Sequence, residues 1–296
     1  MTHTARRIID LFDEAGATGY LHATEIGVNA HEIDVAADER VVLASVFKVP
    51  IAVAFEREVS EGRLSAAEHT VVGSRYRIGG VGTAGFCDDV RASWRDLAHL
   101  MLTLSDNAAT DVIYHRIGHA PIAAVLDDLA LSHTQVVGCC EDILASIGAD
   151  LQIDWRSPDF DTALGRAEPE DLRNLAVLDP ARTSSSTPRD MTRLLDAIWT
   201  DRAAPADACA RIRDTMSQQV WPHRLAAGFP AGARVAGKTG TLPGVRNEIG
   251  VITYPDERAY AVAVFTRSRT LEPHLPEVDR AIGSAARIAI DALRER

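Results

Sequence analysis

The strand-like segments of this 296-residue chain lie at its two ends, with helical sequence between them, and that distribution restricts the fold more than any other feature. Tyr20–Ile26 and His31–Val35 alternate as two short strands around a Gly27–Asn29 turn. Near the other end, Arg234–Thr241, Asn247–Thr253 and Ala259–Thr266 read as three more. Residues 5–16 and Pro276–Glu295 flank them as amphipathic helices. Between lie an apolar helix from about Lys48 to Glu61, helices over 93–104, 107–117, 120–131, 188–199 and 205–217, turn-rich sequence over 64–90, and an irregular stretch over 138–187. Strands so far apart share one sheet when both termini converge on it. The expected fold is an α/β sandwich in a single domain, 1–296. Its antiparallel sheet comes from both termini and is flanked by helices, with an inserted all-helical half. The α/β half takes about 1–50 and 200–296, the helical half about 51–199.

Composition narrows the function. The net charge of −11 argues against broad nucleic-acid binding, which needs a basic footprint. No apolar run approaches the roughly 18 residues of a membrane span. At the N-terminus, Asp10, Asp13 and Glu14 interrupt the apolar residues that a secretory leader would need. The chain as given reads as cytoplasmic, or as secreted with its leader removed. Cys139 and Cys140 are adjacent, which suits neither an ordinary disulfide nor a metal knuckle, so Cys87, Cys139, Cys140 and Cys209 are expected as free thiols.

The basic residues are more informative. Of 31, all but Lys48 and Lys238 are Arg. Guanidinium does not give up its proton in a protein, whereas a buried amine can. Lys48 lies three residues after Ser45 at the start of an apolar helix, one turn away on the same face. A desolvated amine there is a credible base for the hydroxyl, and free N–H groups at the helix start suit an oxyanion. Lys238 begins Lys238-Thr239-Gly240-Thr241 within a strand, where Gly240 would let a ligand approach the backbone. Ser105-Asp106-Asn107 separates two helices and, taken alone, is a plain helix cap.

Two other patterns point nowhere. Gly80-Val81-Gly82-Thr83-Ala84-Gly85 matches a dinucleotide fingerprint without the strand and helix it requires. His115 and His119 have helical spacing but no H-E-x-x-H pattern, so they read as surface or cap histidines.

In the order S-x-x-K, S-D-N, K-T-G, the three motifs resemble those of class A β-lactamases and penicillin-binding proteins. Ala37–Arg40, Thr187–Met191, His223–Ala227 and Ala231–Gly240 are similar to further family segments, so the resemblance spans nearly the whole chain. It implies the same α/β sandwich and a small-molecule substrate, with no metal or organic cofactor. In the implied chemistry Ser45 attacks a lactam carbonyl and Lys48 takes its proton. Ser105 passes a proton to the leaving nitrogen, and Asn107 helps hold the substrate. Lys238, Thr239, Thr241 and Arg224 bind its carboxylate, with Arg246 as the fallback. Backbone N–H groups of Ser45 and Thr241 hold the oxyanion. The family's deacylating carboxylate has its nearest match in Glu168, but the Glu-to-Asn spacing is broken in Glu168-Pro169-Glu170-Asp171-Leu172-Arg173-Asn174. Acylation followed by slow hydrolysis is therefore expected. Two alternatives remain: a cytoplasmic serine acylase, esterase or transacylase with a non-lactam substrate, and a penicillin-binding sensor that is acylated without turnover.

Overall fold

The computed structural model describes residues 2–28, 31–157 and 159–295. In chain order it contains α1 (His3–Glu14), β1 (Ala17–Glu25), β2 (Glu32–Val35), β3 (Val41–Val42), α2 (Lys48–Ser60), β4 (His69–Val72) and β5 (Val90–Ser93). There follow α3 (Trp94–Thr103), α4 (Asn107–Ile117), α5 (His119–Asp128), α6 (Cys140–Leu151), α7 (Phe160–Leu164) and α8 (Pro169–Arg173). The last elements are β6 (Ser185–Ser186), α9 (Pro188–Trp199), α10 (Ala206–Ser217), β7 (Arg234–Leu242), β8 (Val245–Thr253), β9 (Ala259–Ser268) and α11 (Pro276–Arg294).

Both termini meet in one antiparallel sheet of order β2-β1-β9-β8-β7, as the sequence pattern predicts. Tyr20 pairs with Phe265 and Lys238 with Ile249. The central strands β8 and β9 are buried on both faces, and their alternate residues serve two cores. Ile249, Val251, Ala261, Ala263 and Phe265 pack with the apolar side of α2 and the helical half. Ile252, Tyr260, Val262 and Val264 pack on the other face with α1 and α11. The buried face of α11 carries Val278, Ala281, Ile282, Ala285, Ala289 and Leu293, the spacing of one helical stripe. Gly283 brings this helix so close that a Cβ there would lie 2.4 Å from the Arg224 carbonyl.

The stretch over 138–187 departs from the irregular conformation expected. It contains the twelve-residue α6 and the short α7 and α8. Four of its acids lie in the first turns of α6 and α8: Glu141, Asp142, Glu170 and Asp171. Asp142 accepts a hydrogen bond from Cys139 N–H at 2.8 Å, and the helix dipole favours Glu141 and Asp142 in the first turn. Ile143, Leu144 and Ile147 share one face and pack with Phe160, Leu175 and Val177. The turn-rich region likewise pairs β4 with β5. Of the expected Gly27–Asn29 turn, Gly27 has φ +72° and Asn29 lies outside the described residues.

Candidate active site

Ser45 sits in a short 3-10 turn, Ala44–Phe47, that leads directly into α2. Ala44 before it has φ +46°, a conformation that strains an L-residue and persists only where surroundings impose it. Two contacts from the sheet do so. Asn247 Nδ2 donates to the carbonyls of Val42, at 2.8 Å, and Leu43, at 3.3 Å. Gly240 lets β7 pass against the turn: a Cβ there would fall 2.6 Å from the Leu43 carbonyl and 3.2 Å from Ala44 Cβ. The room expected for a ligand at Gly240 is taken by the turn that carries Ser45. Sequence reasoning misses Asn247, although a signal exists in a polar residue within an apolar strand.

Lys48 is fully buried and joins two of the motifs. Its Nζ donates to the Ser105 carbonyl at 2.7 Å, to Ser105 Oγ at 3.2 Å and to Asn107 Oδ1 at 2.8 Å. Ser105 is held at φ +65°. Asp106 beside it is a helix cap, as the simple reading of S-D-N proposes, accepting from Ala109 N–H at 3.0 Å. It also accepts from the Thr83 amide at 2.6 Å and the Thr83 hydroxyl at 2.8 Å. That contact explains the Gly80–Gly85 pattern. A Cβ at Gly82 would sit 2.4 Å from Asp106 Oδ2, and one at Gly80 would sit 3.3 Å from Asn107 Nδ2. These glycines admit the loop to the S-D-N turn.

Lys238 is also fully buried, and its Nζ donates to the Thr239 carbonyl at 2.9 Å. Burial, with the Lys48 charge adding to it, holds its pKa well below the usual lysine range. Thr239 N–H donates to Gln219 Oε1, and Gln219 Nε2 in turn donates to Glu248. Burial pushes the Glu248 carboxyl up to about 7 although Leu225 N–H and Gln219 both donate to it. β7 is the edge strand of the sheet, so part of its backbone is left unpaired by neighbouring strands.

Arg224 does not present a free fork to a carboxylate. It is 3% exposed, and its Nε pairs with Asp279 at 2.6 Å. NH1 donates to the Gly240 and Asn247 carbonyls, and NH2 donates to Thr241 Oγ1 at 2.9 Å. Four of the donors of a five-donor group are thereby engaged. The side chain lies behind β7 and β8 and orients Thr241. Arg246 lines the cleft, with NH1 on the Leu242 and Val245 carbonyls and NH2 on that of Pro273.

Ser45, Asn107, Thr241 and Arg246 line one cleft of about 510 Å³. Its other wall is apolar. From the 138–187 stretch it receives Cys140, Ile143, Leu144, Ile147, Leu164, Gly165 and Leu172. Glu168 is not among the lining residues. It is exposed, at the position that caps α8. The one carboxylate among the described lining residues is exposed Glu272, in the segment between β9 and α11. Burial pushes the Cys140 thiol up to about 12, so it is a neutral thiol at the cleft wall. Asp111 fixes that wall, accepting from Cys140 N–H at 2.7 Å and Glu141 N–H at 2.9 Å. Among the described residues no cluster of His, Cys, Asp or Glu is placed to hold a metal, and all four cysteines are free.

Known proteins share this fold and show the family. The β-lactamase regulatory protein BlaB of Streptomyces cacaoi is 27% identical over 98% of this chain and 97% of its own. A β-lactamase of Sphaerobacter thermophilus has a similar structure, with TM-score 0.78, 23% identity and coverage of 99% of this chain and 98% of that one. PBP-A, solved in a mutant form as an acyl-enzyme complex with penicillin G, has TM-score 0.78 and 22% identity over 100% and 98% of the two chains. The sequence profile of the beta-lactamase enzyme family matches residues 3–293, so the chain belongs to that family from end to end.

Proposed function

We propose that this protein is a serine acyl-enzyme former that reacts with β-lactams at Ser45 and releases the product slowly. The observation that carries the reading is the Lys48 amine, fully buried one turn from Ser45 and bonded to both Ser105 and Asn107. Ser45 Oγ attacks the lactam carbonyl, and its proton passes to the Lys48 amine. The C–N bond of the ring then breaks, and Ser105 Oγ, 3.2 Å from Lys48 Nζ, relays the proton to the leaving nitrogen. Backbone N–H groups of Ser45 and of Thr241 on the edge strand receive the oxyanion. Arg246 lines the cleft without an ion-pair partner among the described residues, which favours a substrate bearing a carboxylate. Asn107, Thr239 and Thr241 contribute polar contacts to that substrate.

The slow step follows from the opposite wall. Hydrolysis of the ester needs a water held by a carboxylate; the stretch over 138–187 brings only apolar groups and a thiol to the cleft, and Glu272, the one carboxylate among the described lining residues, is exposed to solvent. Exposed Glu168 is proposed to take no part. A regulatory reading, in which the long-lived adduct is itself the signal, draws support from the name of the Streptomyces cacaoi relative. Intact-protein mass spectrometry after exposure to penicillin G tests the proposal. A stable adduct on wild type and none on Ser45→Ala is expected. No adduct, with hydrolysis of a simple ester instead, would favour an acylase acting on a non-lactam substrate.

A further inference from the structure

A second cavity of about 250 Å³ lies between β3, the segment around Leu178 and Pro180, the β7–β8 turn and the end of β9. Its apolar lining includes Val42, Leu178 and Phe265. Arg40, Arg173, Arg267 and Arg269 also line it, and no Asp or Glu does. In a chain with 42 acidic and 31 basic residues, four arginines around one small cavity without a carboxylate are an unusual concentration. Surface arginines elsewhere in this protein are mostly paired: Arg63 with Glu58, Arg189 with Glu32, Asp34 and Asp38, and Arg211 with Glu56. Here only Arg269 has a partner, Asp13 at 2.5 Å. Arg40, Arg173 and Arg267 are exposed and make no ion pair among the described residues.

We propose that this cavity binds a small organic polyanion, with two or more carboxylate or phosphate groups on a short apolar frame. The arginines supply planar donors matched to such groups, and the apolar lining supplies the contact for the frame. The site is separate from Ser45 but adjoins it. Pro243 and Leu271 line both cavities, while Leu172 lines the Ser45 cleft and Arg173, next to it on α8, lines the second cavity.

Titration calorimetry with benzene-1,3,5-tricarboxylate tests the proposal, using wild type, Ser45→Ala, Arg40→Gln/Arg267→Gln and Arg280→Gln. The replaced arginines are exposed, so the variants should fold, and thermal unfolding checks this. Binding is expected in wild type and unchanged in Ser45→Ala, which keeps the result independent of acylation chemistry. The double variant should bind at least about tenfold more weakly, and Arg280→Gln, on α11 away from the cavity, within about twofold of wild type. Inorganic pyrophosphate, which lacks the frame, should bind more weakly than the tricarboxylate. Absence of binding up to about 10 mM, or an equal loss in the double variant and Arg280→Gln, would overturn the site. Pyrophosphate binding as tightly as the tricarboxylate would overturn the organic-frame assignment.

Discussion

Replacing Lys48 by Met separates its chemistry from its structural part. Its acceptors, the Ser105 carbonyl at 2.7 Å, Ser105 Oγ at 3.2 Å and Asn107 Oδ1 at 2.8 Å, are all neutral, so removing the amine strands no opposite charge. The two closer acceptors lose a donor, at about 1–3 kcal/mol each if they stay dry. Against that, the penalty for holding the polar amine out of water, of similar size, disappears. The terms nearly cancel, and the unfolding free energy should change by less than about 2 kcal/mol. The acylation rate should fall by about 10² to 10⁴, the usual contribution of a general base. Lys48→Arg puts a guanidinium, which cannot accept the proton, in its place and should fall as far. It should also be less stable than the Met variant, because a longer group in a fully buried site overpacks it by about 1–3 kcal/mol. Urea unfolding gives the stabilities, and the rate of labelling by a fluorescent penicillin gives the chemistry. Labelling of the Arg variant within about tenfold of wild type would remove Lys48 as the base.

Three further results are expected. Cys140→Glu places a carboxylate on the cleft wall and should shorten the penicillin adduct's lifetime at least about tenfold, while Glu168→Ala leaves it unchanged; a longer-lived adduct in Glu168→Ala would restore that residue as the base. Arg224→Ala strands Asp279 and two carbonyls behind β7, so it should destabilise the protein by about 3–5 kcal/mol and weaken reaction with acid and ester substrates alike; a KM rise confined to acids would show a direct carboxylate contact. Asp111 has its carboxyl pushed up to about 6 by burial, from an ordinary 3.8, so its proton favours the folded state: the contribution is whole below about pH 4 and is lost as pH rises through about 6. Relative to Asp111→Asn, wild type should therefore lose about 1–2 kcal/mol of stability between about pH 4.5 and 7.5, and parallel pH profiles would refute that.

The amino-acid sequence by itself determined the sheet, the amphipathic end helices and the three motifs, because each rests on local periodicity or on residues adjacent in the chain. The strands predicted at 234–241, 247–253 and 259–266 form as β7, β8 and β9 with ends shifted by at most two residues. The retention of Lys at only two positions singled out Lys48 and Lys238, both of which are fully buried. Tertiary structure decided what depends on distant partners. Cys140–Leu151 falls in the stretch that reads as irregular, and its helix starts where Asp111 of α4 accepts its first N–H groups. Asn247 resembles a flaw in a strand until its amide is seen to hold the turn before Ser45. Arg224 looks like a substrate clamp, but its donors are spent on Asp279, two strand carbonyls and Thr241. Hydrogen-bond capacity is written in the residue type, whereas the choice among possible acceptors is made only when the chain closes around it.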